Sequence, residues 1–380
     1  MRRDERWERS RRLRTVLGAA AAVCAVTAAL PGPASAEPAP GGAGLREGSV
    51  ARLSVAADGA QATGGASHHA SITPDGRHVI FLSSAAGLTA DAVSAGDKPY
   101  LRDGTTGEVR RPSHYAVAEP AAAQTVSVSG DGRYTAYPIP WVRHVRTNLT
   151  RMSSGASIQA DCYGYGCNQA SWDATGRYLA LVVLNPPARP GPPGSQRIEV
   201  QDPNAGTART VASLGHLLPS LPSMSGDGRL VAYQDAETQD VYVRDMPGNT
   251  RTGPVEGPAV TASLVQLSDD GTKVVYRSGP DTHVHDLASG TTQTVPGVKG
   301  LAIDPTGRYL LYAPNATGGP SLLLRDLVEG TDEVVAQQPA TAGVDAVSSG
   351  GREVVFESAA DDLVPGDTNG VTDVFIRRFS

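Results

Sequence analysis

The sequence predicts an all-β fold, a seven-bladed β-propeller of four-stranded blades. Three observations carry that expectation. A short phrase, clearest at Ser223-Met224-Ser225-Gly226-Asp227-Gly228-Arg229 leading into Leu230-Val231-Ala232-Tyr233, recurs with its glycine at Gly76, Gly132, Gly176, Gly228, Gly271, Gly307 and Gly351. The seven copies stand 56, 44, 52, 43, 36 and 44 residues apart, a period that suits one small sheet per repeat. The apolar residues flanking each glycine alternate at period two, the spacing of a strand. Asp-Gly between two apolar runs predicts a tight hairpin of the primed type, because glycine takes positive φ at no steric cost.

Taken in order, residues 1–36 read as an export leader. Seven arginines fall within the first 14 positions, an apolar stretch spans 15–30, Pro31-Gly32-Pro33 breaks it, and Ala34-Ser35-Ala36 offers small residues for cleavage. The apolar run is short for a membrane anchor, so no span is expected after leader removal. Residues 37–47 are rich in Pro, Gly and Ala and read as a flexible lead-in to the propeller, 48–380. The leader carries a net +4, so the whole-chain −6 becomes −10 in the mature protein. An acidic chain is a poor holder of phosphate backbones or anionic lipid, and no nucleic-acid partner is expected.

Each repeat supplies an inner strand A, the glycine turn, strand B, then strands C and D. Strand B begins at His78, Tyr134, Tyr178, Leu230, Lys273, Tyr309 and Glu353. Strand C ends in Leu101-Arg102-Asp103, Val200-Gln201-Asp202, Val243-Arg244-Asp245, Val284-His285-Asp286 and Leu324-Arg325-Asp326, and in the last repeat passes through Ile376-Arg377-Arg378. The second repeat matches least, and residues 142–146 are the nearest equivalent of its strand C. The seventh stops after its third strand, which would leave an unpaired edge. Residues 50–55, Val-Ala-Arg-Leu-Ser-Val, precede the first glycine turn and belong to no blade. Pairing them with 373–378 closes the ring, so a closed monomer is expected.

Phrases such as Asp131-Gly132-Arg133-Tyr134-Thr135-Ala136-Tyr137 and Asp240-Val241-Tyr242-Val243-Arg244-Asp245 resemble the WD-like propeller repeats of the TolB-like family. The resemblance covers roughly 50–380 and implies the propeller fold and a partner-binding platform. It departs from TolB itself in that no α/β domain precedes the propeller, so a TolB-type envelope role is not implied.

Several residues are candidates for chemistry. Cys162 and Cys167, the cysteines left after leader removal, read as a disulfide clipping a small loop in an oxidising compartment. Asp367, Asn369 and Asp373 alternate around Gly370 like part of a calcium loop, without the glutamate that completes an EF-hand; an Asx-rich turn is the other reading. No cofactor is expected beyond, at most, that structural calcium. The eight histidines are scattered, with no metal-binding spacing, and there is no nucleophile elbow or phosphate loop. The A–B and C–D turns are short and regular. Irregular length collects on the other face, in the B–C loops 84–96, 185–196 and 359–372 and the D–A connections 114–124, 161–168 and 214–222. There Tyr163, Tyr165, His114 and His216 are the expected ligand contacts. The expected function is an exported, non-catalytic propeller that binds a protein or cell-wall glycan. The alternative is a secreted, metal-dependent lyase or hydrolase acting on polysaccharide at the propeller axis.

Overall fold

In the computed structural model, residues 48–56, 58–90, 96–112, 126–141, 144–160, 162, 166–185, 194–215, 221–257 and 260–380 are described. The expected leader 1–36 and lead-in 37–47 lie outside them.

The repeated turn is built by a hydroxyl and a carboxylate. In the fourth repeat, Ser225 Oγ donates to Asp227 Oδ1 at 2.6 Å and accepts the Leu230 N–H at 2.9 Å. Asp227 Oδ1 also accepts the Arg229 N–H at 2.9 Å, and the Gly228 N–H closes on the Ser225 carbonyl at 2.8 Å. Gly228 has φ +70°, while Asp227 is not left-handed. This is a type I turn ended by a left-handed glycine, not the primed turn that the Asp-Gly pair suggests. In the third and sixth repeats the two side chains trade places: Thr175 Oγ1 donates to Asp173 at 2.7 Å and Thr306 Oγ1 to Asp304 at 2.6 Å.

The glycine has a second reason to be bare. A Cβ at Gly228 would lie 2.6 Å from Tyr178 Cδ2 of the preceding blade, and one at Gly176 would lie 2.4 Å from Tyr134 Cδ2. The pattern runs round the ring: His78 covers Gly132, Leu230 covers Gly271, Lys273 covers Gly307, Tyr309 covers Gly351, and Glu353 covers Gly76. The first residue of each strand B thus seats the next blade.

Twenty-seven strands follow among the described residues. β1 (Gly48–Arg52) precedes the first blade, which holds β2 (Ser67–Ile72), β3 (His78–Ser83), β4 (Lys98–Asp103) and β5 (Val109–Arg110). Blade 2 holds β6 (Ser127–Val128), β7 (Tyr134–Trp141), β8 (His144–Arg151) and β9 (Ala156–Gln159). Its strand C therefore runs beyond the expected 142–146. Blade 3 is β10 (Cys167–Trp172), β11 (Leu179–Leu184), β12 (Gln196–Asp202) and β13 (Thr207–Leu214). Blade 4 is β14 (Ser223–Met224), β15 (Leu230–Asp235), β16 (Asp240–Asp245) and β17 (Thr250–Thr252). Blade 5 is β18 (Ser263–Leu267), β19 (Lys273–Ser278), β20 (Asp281–Asp286) and β21 (Thr292–Val295). Blade 6 is β22 (Val298–Ile303), β23 (Tyr309–Pro314), β24 (Leu322–Asp326) and β25 (Asp332–Ala336). Blade 7 takes β26 (Glu353–Ser358) and β27 (Asp373–Phe379), with β1 as its outer strand in the order β1-β27-β26. Its innermost position is reduced to a bridge between Val347 and Val354.

Closure is as expected from the sequence. Gly48 pairs with Phe379 through to Arg52 with Phe375, antiparallel, and the Leu53 N–H adds a bond to the Val374 carbonyl at 2.7 Å. The core lies in the seams between blades. One seam, for example, joins Ala180, Val182 and Ile198 of blade 3 to Met224, Val231 and Tyr233 of blade 4. Arginine and aspartate of the repeat pair within a blade: Arg77 with Asp103 at 3.1 Å, Arg229 with Asp245 at 2.8 Å, and Arg308 with Asp326 at 2.7 Å. The same aspartates cap the C–D turns, as Asp103 does for the Thr105 and Thr106 N–H groups. Among the described residues no helix is long and apolar enough to cross a membrane.

Candidate functional site

Because the repeated polar residues are consumed in turns, a binding site has to come from positions that break the repeat. The second residues of the seven glycine turns are Pro74, Gly130, Ala174, Gly226, Asp269, Pro305 and Ser349, six small or neutral side chains and one carboxylate. Five of them, Pro74, Gly130, Ala174, Asp269 and Pro305, line one space at the axis. Main-chain bonds tie the ring together, from the Ala174 N–H to the Gly226 carbonyl at 2.9 Å and from the Gly226 N–H to the Asp269 carbonyl at 2.7 Å. Asp345 lines the same channel from blade 7, in a left-handed conformation with φ 54°. Gln266 Nε2 donates to Asp345 Oδ1 at 2.6 Å, and Gln266 Oε1 accepts the Ile303 N–H at 3.1 Å.

Burial, then the charges of Asp345, Asp270 and Asp304, push Asp269 from 3.8 up to about 8. Burial likewise pushes Asp345 up to about 6, against the opposing bond from Gln266. The Trp172 indole N–H, from the same channel wall, is shielded from water and has no acceptor among the described residues. The enclosed space is only about 30 Å³, room for water but not for a sugar ring.

On the face of the B–C turns and D–A connections the chemistry differs. Near the start of blade 1, His68 Nε2 meets Asp97 Oδ2 at 3.0 Å, and His68 and His69 touch through their Nδ1 atoms. Burial and the neighbouring His68 hold His69 below the usual imidazole range, against the pull of Asp97. Glu357 of blade 7 accepts the Ala70 N–H at 3.1 Å, and burial raises it. Between blades 5 and 6 the same face opens into a cleft of about 430 Å³, within the range of small-molecule sites. Gln239, Ser263, Arg277, Asp281, Lys299 and Asn315 are among its lining residues.

Of the residues expected from the sequence, Tyr163, Tyr165, His114 and His216 lie outside the described residues. Cys162 and Cys167 are joined as a disulfide, Cα to Cα 5.3 Å, buried in the seam between blades 2 and 3. Asp367 and Asp373 come together, and the cation between them is Arg52 from β1: Nη1 stands 3.0 Å from Asp367 and 3.6 Å from Asp373. Asn369 Nδ2 donates to Asp373 at 3.0 Å and Gln61 Nε2 to Asp367 at 3.0 Å. This explains the alternating acids as a lock on ring closure. Asp269, Asp345, Arg277 and Lys299 are candidate residues that sequence reasoning missed. Asp269 is visible on aligning the seven turns, where it alone is acidic at its position, and Lys299 is one of only three lysines.

No protein-family model matches the chain, and no curated protein matches it. Solved structures do. An oligogalacturonate lyase in complex with manganese is 15% identical with a TM-score of 0.60, over 87% of this chain and 93% of that one. An oligogalacturonate lyase from Vibrio parahaemolyticus is 14% identical, also with a TM-score of 0.60 and the same coverage. TolB from Acinetobacter baumannii is 16% identical with a TM-score of 0.43, over 60% of this chain and 54% of that one. The seven-bladed propeller implied by the TolB-like resemblance is the fold of this chain. One expectation is corrected: that of no cofactor, or a structural calcium at most. A lyase with the same fold over nearly its full length is in complex with manganese, and absence of metal-binding spacing in a sequence does not test for ligands that the ring brings together from different blades. The described residues do not by themselves supply such a centre, for they contain no group of three or more His, Cys, Asp or Glu able to hold a metal ion.

Proposed function

We propose that the chain is exported by its leader 1–36 and works as a ligand-binding propeller for a cell-wall glycan or a protein. Its seat is the face of the B–C turns and D–A connections. The observation that carries this reading is the polar cleft of about 430 Å³ on that face, set against a space of only about 30 Å³ beside Asp269 and Asp345. Loops of unequal length on a rigid ring are where binding residues collect, and Tyr163, Tyr165, His114 and His216 belong to such loops. The disulfide suits an oxidising, extracytoplasmic compartment.

The test is co-sedimentation of the exported protein, beginning at Glu37, with isolated cell-wall material. Saturable binding that falls at least tenfold in the double change Tyr163→Ala and Tyr165→Ala, with melting unchanged, is expected. Unaltered binding with earlier melting would show those rings to be packing residues.

A second reading, a metal-dependent polysaccharide lyase, is favoured by the manganese-bound oligogalacturonate lyase of like fold. It predicts stoichiometric manganese in the purified protein and ultraviolet absorbance from an unsaturated product on oligogalacturonate. Absence of both, with wall binding intact, leaves the platform reading.

A further inference from the structure

We infer that the cleft between blades 5 and 6 is a seat for a carboxylated saccharide, held by Arg277 and Lys299. This rests on the platform reading and names its ligand class. The argument begins with charge. Arg77, Arg177, Arg229 and Arg308 of the repeated turns have aspartate partners in their own blades. Of the three lysines, Lys273 pairs with Asp286 and Lys98 is buried against the Gly96 carbonyl. Arg277 and Lys299 are different. Neither has an acidic partner among the described residues, and both line the same cleft.

Arg277 leaves strand β19 one residue before its turn, opposite Ser263 on one side and Thr282 on the other. Its Nε is shielded from water and has no acceptor. A shielded guanidinium donor without an acceptor is costly, and a carboxylate of matching planar geometry satisfies it. Lys299, exposed on the opposite wall in β22, adds a second cation. Asp281 also lines the cleft, its Oδ1 accepting the Gly297 N–H at 2.8 Å, and two cations against one carboxylate leave the lining net positive.

The rest of the lining suits a polyol. Gln239, Ser263 and Asn315 ring the cleft with amide and hydroxyl groups, while Ser278 Oγ and Asn315 Nδ2 are bonded to the Thr261 and Pro280 carbonyls at 2.8 Å each. Those bonds hold the rim in place. Ala262, Pro280 and Val298 are the apolar lining residues and no aromatic ring is among them, which speaks against a lipid or an aromatic ligand.

The experiment titrates the purified full propeller, by ligand-observed NMR, with glucuronate, with its neutral isostere glucuronamide, and with inorganic phosphate. Glucuronate is expected to bind at least five times more tightly than either of the others. Lys299→Ala, at an exposed position that does not threaten the fold, is expected to weaken it about tenfold, the size of one charge-assisted bond. Arg277→Gln is expected to abolish measurable binding with an unchanged circular dichroism spectrum. Equal binding of phosphate or glucuronamide, or wild-type affinity in Lys299→Ala, overturns the inference. If the unaltered protein binds cell wall but not glucuronate, this inference fails and the platform reading stands. If the unaltered protein binds neither wall nor glucuronate, both fail.

Discussion

Asp269 shows how one residue can break a sevenfold pattern with a measurable consequence. A carboxyl raised from 3.8 to about 8 holds its proton more tightly in the folded chain than in the unfolded one. Stability is then highest below pH 4 as far as this group is concerned, and it declines as pH rises from about 4 through 8. Asp345, raised to about 6, adds a similar decline over the lower part of that range. Asp269→Asn removes the charge but keeps the shape. The melting temperature of the variant is expected to exceed that of the unaltered protein at pH 8.5 and to approach it near pH 5. Parallel pH profiles for the two proteins would show that the channel carboxylate is not buried in its charged form.

At the scale of the strand and its turn, the glycine does two jobs that a pair of substitutions separates. Gly206, in a C–D turn, has φ +65° and nothing within 4 Å of where a Cβ would be. Gly228 has the same backbone conformation but would drive its Cβ to 2.6 Å from Tyr178. Gly206→Ala bears only the left-handed strain, about 1–2 kcal/mol. Gly228→Ala bears that and must also displace the tyrosine that seats its blade. Urea unfolding should therefore find Gly228→Ala the more destabilised of the two by at least about 1 kcal/mol. Equal losses would mean that the tyrosine ring moves aside freely and that the blade contact is loose.

For the whole molecule, the decisive contact joins the two ends of the propeller. β1 satisfies the outer edge of β27, Leu53 is buried beneath it, and Arg52 pairs with both Asp367 and Asp373. Deleting residues 48–55 exposes a strand edge, removes a buried leucine worth about 2–5 kcal/mol by itself, and strands two acids without their cation. A loss of more than about 5 kcal/mol is expected, read as a large fall in the urea midpoint. An unchanged midpoint would mean that the ring holds together without its closing strand.

Sequence alone determined the ring. A period-two pattern and a turn signal are local properties, so seven copies state the seven blades, and the count of strands at the two ends states that β1 must close the last one. The cysteine pair was legible for the same reason, five residues apart on one short stretch. Turn type was not legible from Asp-Gly, because the hydroxyl two residues before the aspartate selects it through a side-chain bond. The role of Asp367 and Asp373 was also hidden, since their cation lies more than 300 residues away at Arg52. The cleft of Arg277 and Lys299 and the axial pair of Asp269 and Asp345 belong wholly to the tertiary structure. Each joins residues from different blades, and only closure of the ring decides which charges end without a partner and which carboxylates are forced together.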